Sequence, residues 1–174
     1  MDMLDFETDN LYFDEPLRSE ARDCLQVAAD NYSEGVAETS LMRAYFLEPQ
    51  HPMVLVALYR YFYYQHRLED ALLVADRVLE EFAKRLDLPE DWHELTERQI
   101  GSGVMVSMTM IRFYMLALKG AGFLELRLGE YASALARLSK VVELDSHDRL
   151  GARALLEVAQ EALQTRSCPK LMKY

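Results

Sequence analysis

A chain of 174 residues with a net charge of −10, 51% apolar and 28% charged residues has the size and make-up of one globular domain. The acidic balance argues against the nucleic-acid backbone or an anionic membrane surface as a partner, since both need a clustered basic footprint. Seven Gly and five Pro leave few turns for an all-β fold, so an all-α chain is expected.

Residues 1–13 mix acids with Leu4, Phe6, Leu11, Tyr12 and Phe13. They read as an extended arm, either frayed or with Leu11–Phe13 docked on the protein's own surface or on a partner. No basic and then apolar leader opens the chain, and the two cysteines, Cys24 and Cys168, make neither a disulfide framework nor a metal set. A cytoplasmic location is the expectation. Asp14-Glu15-Pro16 reads as the start of a first helix that runs to about Asp30. Ser33 is the expected cap of a second helix, with Val36, Ala37, Leu41, Ala44 and Tyr45 as its apolar face. Pro49 stops that helix, and Pro52 is pre-set for the first turn of the next.

From Pro52 to Arg85 the spacing predicts two amphipathic helices joined by a tight turn at Gln65-His66-Arg67. Leu55, Leu58, Tyr59 and Phe62 share a face of the first; Ala71, Val74, Ala75, Val78 and Phe82 share a face of the second. Such a hairpin exposes both faces when alone, so it must stack on neighbours. Residues 86–114 read as an insertion: a loop at Leu88–Asp91, a short helix at Trp92–Glu94, a capping box at Thr96–Gln99 and a break at Gly101-Ser102-Gly103. The apolar run Val104–Leu118 is too short to span a bilayer. It is expected to be one continuous helix, the next hairpin's first helix extended towards its N-terminus. Residues 149–164 read as a final helix packed through Leu150, Ala154, Leu155, Val158 and Ala162, and 165–174 as a flexible basic tail.

Positions recur at a spacing of 34: Cys24 with Leu58, Ala28 with Phe62, Ala37 with Ala71, Leu41 with Ala75, and Ala44 with Val78. The pattern returns in 115–148 through Gly122, Gly129, Tyr131, Ala134, Leu138, Val141 and Ser146. On these residues the chain resembles the tetratricopeptide repeat family, with repeats at 18–51, 52–85 and 115–148. The resemblance implies an α-solenoid of about three helix-turn-helix hairpins in a single domain, 14–164, with the insertion 86–114 before the third and a capping helix at 149–164. Ala37, Ala71 and Ala134 come early in each second helix, where a larger side chain would hold the paired helices apart. Gly129 stands where a left-handed residue ends a helix. Tyr32 and His66 replace the turn glycine, Ala83 and Ser146 the closing proline, and Glu125 an aromatic; the second repeat's last helix is therefore expected to run on to about Leu86.

His51, His66, His93 and His147 lack metal spacing and read as solvated loop residues, and Trp92-His93-Glu94 has no second His four residues on. No nucleophile, phosphate-cradling or dinucleotide motif is present. Gly101-x-Gly103 alone is weak, and Gly120 and Gly122 read as close-packing positions. Met105, Met108, Met110 and Met115 read as an adaptable apolar surface. No enzyme, cofactor or metal is expected. The resemblance puts the first helix of each hairpin on a concave face, which gives Arg22 and Gln26, then Val56, Arg60, Tyr63 and Tyr64, then Lys119 and Phe123. That basic and aromatic groove suits a short acidic or C-terminal peptide, although the paired Lys and Asn of the carboxylate-clamp variety are not reproduced. The expected function is a non-enzymatic adaptor that binds a peptide or helix of a partner protein. The alternatives are a small acidic secretion-type chaperone and a regulatory or oligomerising subunit, such as a homodimer, that uses the Met-rich helix 104–115.

Overall fold

The computed structural model describes residues 15–31 and 35–167. The expectations for the acidic arm, for Asp14, for the Ser33 cap and for Cys168 and the residues after it lie outside these. Among the described residues the structure is helical with connecting loops, and no strand is present. The α-helices are α1 (Ser19–Asp30), α2 (Gly35–Leu47), α3 (Pro52–Tyr64), α4 (Leu68–Arg85), α5 (Glu97–Val106), α6 (Met108–Leu128), α7 (Tyr131–Leu144) and α8 (Arg153–Ser167), with a short 3-10 turn at Trp92–Glu94. Helix α1 packs on α2, α3 on α4 and α6 on α7, while α2 meets α3, α4 meets α6 and α7 meets α8. Helix α6 thus takes the place beside α4 that the next helix of an uninterrupted chain would occupy, and α5 lies against α6.

The contacts follow from residue size. Ala37, Ala71 and Ala134 are fully buried, as are Ala44 and Ala75, so each pair of helices meets through methyl groups. Larger side chains fill the space between pairs: Leu55, Tyr59, Phe82, Phe113 and Leu124 are all inaccessible to solvent. The Phe82 and Phe113 rings meet edge to face, 4.8 Å apart, and join α4 to α6. Left-handed backbone closes the turns inside two of the hairpins. Gly129 ends α6 at φ 80°, and His66 adopts φ 58° where a glycine would serve more easily.

Several boundaries differ from the sequence reading. Helix α1 begins at Ser19 rather than at Pro16, because Arg18 still has extended backbone (φ −56°, ψ 140°). Val36 is exposed, so the buried side of α2 is Ala37, Leu41 and Ala44. The run Val104–Leu118 is two helices rather than one. Ser107, at φ −161° and ψ 112°, ends α5 and caps α6, its hydroxyl accepting from the Met110 amide at 3.2 Å. Gly101-Ser102-Gly103 is correspondingly no break but part of α5. Gly103 is buried, and a Cβ there would collide with Ile111 Cδ1, so its lack of a side chain lets α5 approach α6. The capping box at Thr96 and Gln99 is present as expected. Helix α4 ends at Arg85 with Leu86 as its cap residue. Helix α8 starts later than expected and turns a different face inward: Ala159 is buried, Leu155 and Leu156 pack beside it, and Ala154 and Val158 face outwards.

Candidate partner-binding groove

Residues of α1, α2 and α3 line an open cavity of about 360 Å³. Its floor is apolar, made by Leu25, Ala28, Leu41, Met53, Val56 and Ala57, while Arg22, Gln26 and Arg60 stand at its edges. The small residues Ala28, Ala29 and Ala57 leave the space; a branched side chain at any of them would fill it. Four of the eight residues chosen from sequence, Arg22, Gln26, Val56 and Arg60, are therefore brought together. Val56 is the buried one, and it forms floor rather than rim.

One turn beyond Arg60 an aromatic strip begins. The Tyr63 ring stacks on Tyr59 at 6.4 Å, meets Tyr64 edge-on at 5.5 Å and lies 6.3 Å from Phe123 of α6. The Arg127 guanidinium sits over Phe123, 5.9 Å from its centroid. Tyr61 and Phe62 are buried, whereas Tyr64 is more than half exposed, which answers how four consecutive aromatics can share one helix. Tyr63, Tyr64 and Phe123 thus form a second group, contiguous with the first through α3. Lys119 does not join either. It is buried, and its Nζ donates to the Leu150 carbonyl at 2.8 Å, so it holds the loop before α8 instead of lining a groove.

Behind this face lies a charged cluster. Arg137 of α7 pairs with Asp76 of α4 at 2.8 Å and with Glu125 of α6 at 2.9 Å, and its guanidinium lies over the Trp92 ring at 5.2 Å. Burial pushes the Glu125 carboxyl above its usual range, with Arg137 pulling the other way. The Tyr114 phenol is also pushed up by burial. Lys140 donates to the Leu95 carbonyl at 3.2 Å, so Arg137 and Lys140 together hold the insertion against α7. A second cavity, about 540 Å³, lies where α5 meets α6 and the α7–α8 loop. Among the described residues no group of three or more His, Cys, Asp or Glu is arranged to hold a metal ion, and no helix is long and apolar enough to cross a membrane.

The chain is similar to a protein of Azotobacter chroococcum mcd 1 described as an uncharacterized 19.8 kDa protein in the nifW 5′ region. The two are 48% identical over 161 residues, which is 92% of this chain and 90% of that one. The chain belongs to that protein's family. No family model matches the sequence and no solved structure matches the fold.

Two residues with clear structural roles went unread in the sequence. His51 is buried rather than solvated: its Nδ1 accepts from the Met53 amide at 3.3 Å and caps α3, and its Nε2 meets the Glu15 carbonyl at 3.2 Å. A histidine just before Pro52 was the available signal, but histidine is an uncommon cap. Arg137 gave no signal by itself. The clue was Glu125, an acid at a position where the repeat pattern has an aromatic, since a buried acid needs a cation nearby.

Proposed function

We propose that this chain is a tetratricopeptide-type module of about three stacked hairpins, α1–α2, α3–α4 and α6–α7, closed by α8. In this reading it recognises a peptide or short helix of a partner protein and performs no chemical step. The supporting observations are the alternation of within-hairpin and between-hairpin packing and the burial of Ala37, Ala71 and Ala134 at the same place early in the second helix of each hairpin. The observation that carries the functional part is the α1–α3 cavity. It combines an apolar floor with Arg22, Gln26 and Arg60 at its edges and continues into exposed Tyr64. An apolar anchor with a carboxylate beside it is the ligand chemistry such a groove fits, since arginine pairs carboxylates with two parallel bonds and tyrosine supplies contact area at low entropic cost.

The test is selection of a displayed random-peptide library on the immobilised chain. Wild type is expected to enrich peptides that pair a large apolar residue with one or more acids, and Arg60→Glu to lose them while keeping its helical content. Enrichment of the same peptides by both proteins would place recognition elsewhere. The relative's description puts its gene in the nifW 5′ region, so the nifW product is the first individual protein to try against both variants.

A further inference from the structure

Residues of α2, α3 and α4 line an open cavity of about 240 Å³, and none of them belongs to the α1–α3 groove. Met42 and Tyr45 of α2 and Leu73 and Val74 of α4 make its walls, with Leu58 and Phe62 of α3 buried beneath. The described residues leave these walls uncovered: Leu73 is 68% and Met42 46% exposed. Beside this hole stands a knob. Phe46 follows Met42 by one helical turn, so the two are neighbours on the surface of α2, and its ring is 89% exposed. A lone exposed phenylalanine needs no explanation, but one that adjoins an uncovered apolar cavity makes a single patch with it.

Knob and hole match in size. A void of roughly 150 Å³ holds a benzene-sized ring, so a cavity of about 240 Å³ accepts one phenyl group with the methylene that carries it. The Phe46 ring of the same chain stays outside the lining. Because the two features share one face, a two-fold axis seats each Phe46 in the cavity of a second copy, and the pair closes on itself.

Charge has the same self-complementary arrangement. Asp70 and Arg77 border the cavity from α4. Arg77 pairs with both Glu80 and Glu81, and Arg67 with both Asp70 and Glu38, so two arginines there are shared among four acids. The knob carries the opposite sign. Arg43, the only Lys or Arg of α2, is exposed and stands three residues before Phe46. A copy that presents Phe46 therefore brings a guanidinium to the acidic border of the cavity, where the Asp70 side chain is 39% exposed.

We propose that the α2–α4 face is the interface of a homodimer, in which each copy's Phe46 enters the α2–α4 cavity of the other and each Arg43 faces the other's Asp70. Two phenylalanine side chains bury about 150–250 Å² each, and with Met42 and Leu73 beside them the contact stays below the roughly 1,200 Å² of a stable complex. The dimer is therefore reversible on dilution. It engages no residue of the α1–α3 groove.

Sedimentation velocity of the intact chain over a dilution series tests this. Wild type is expected to pass reversibly from monomer to dimer as concentration rises. Phe46→Ser, which removes an exposed ring and nothing from the core, is expected to raise the dimer dissociation constant at least about tenfold with helical content unchanged. Arg43→Glu is expected to raise it too, by a factor that shrinks as salt is added. Met105→Ser/Met108→Ser, on the uncovered apolar surface where α5 meets α6, is expected to leave it unchanged. A wild type that stays monomeric throughout the series would overturn the proposal. So would equal association of Phe46→Ser and wild type, or loss of association in Met105→Ser/Met108→Ser. A photo-cross-link reads the contact itself. Phe46→p-benzoylphenylalanine, mixed with isotopically heavy wild type and irradiated, is expected to attach to Met42, Leu73 or Val74 of the heavy chain; attachment only within the light chain, or only elsewhere on the heavy one, would overturn the proposal.

Discussion

Gly120 of α6 lies directly beneath the Tyr59 hydroxyl of α3: a Cβ on Gly120 would stand 3.0 Å from that oxygen. The two helices belong to different hairpins, with α4, the 3-10 turn and α5 between them in sequence. Their contact shows that the insertion loops out without separating α3 from α6. Gly120→Val is expected to push Tyr59 out of a fully buried site and cost about 1–3 kcal/mol in urea unfolding. Gly101, also inside a helix, faces open space, so Gly101→Ala is expected to stabilise by about 0.5–1 kcal/mol. Equal effects of the two substitutions would contradict the packing.

Ser107 separates α5 from α6 with one hydroxyl. Ser107→Ala is expected to cost about 1 kcal/mol and to raise amide exchange in the first turn of α6. If α5 and α6 were one continuous helix, the same change would be stabilising, because alanine is the better interior residue.

That break also shows where the sequence was hard to read. The buried alanines were legible because the resemblance to a repeat family calls for a small residue at one place in each second helix, and Ala37, Ala71 and Ala134 stand there. Gly129 was legible because the αL conformation favours glycine. The α5–α6 boundary was not, because Val104–Leu118 is apolar throughout and a single serine interrupts it. Gly101 and Gly103 drew the break to the wrong place; one of them serves packing instead. Of the cavity lining, Arg22, Gln26, Val56 and Arg60 were legible through the repeat resemblance, which puts the first helix of each hairpin on one face. Lys119 shared that placement, yet its ammonium is taken by a carbonyl of a loop 31 residues further on, a contact no periodicity reveals.

The Arg137 guanidinium pairs with the buried Glu125 carboxylate at 2.9 Å. Arg137→Ala leaves that acid with the cost of burial and no compensation, so a loss of about 3–5 kcal/mol is expected. Arg137→Ala/Glu125→Leu is expected to recover a large part of it. Additive losses in the double variant would show that the two side chains do not act as a pair.

The same acid gives a pH signature. Burial lifts its carboxyl above the ordinary 4.5, so over the interval between the two values the folded chain keeps a proton the unfolded chain has lost. Its contribution to stability is therefore complete below pH 4.5 and is lost as pH rises through the raised value. Glu125→Gln is neutral throughout. Its stability relative to wild type is expected to increase as pH rises through that interval and then level off, as measured by urea unfolding; parallel profiles would mean that Glu125 titrates alike in both states.

The claim that the face between α1 and α3 is the recognition surface is tested most directly by titrating one library-selected peptide, by calorimetry, into wild type, Ala57→Trp and Phe46→Ser. Ala57 lines the cavity, and a Trp there occupies its volume; Phe46 is 89% exposed on α2 and outside the lining. The account predicts binding to wild type and Phe46→Ser with the same affinity, and loss of at least about tenfold, or 1.4 kcal/mol, in Ala57→Trp. Unchanged affinity in Ala57→Trp, with helical content intact, would contradict it.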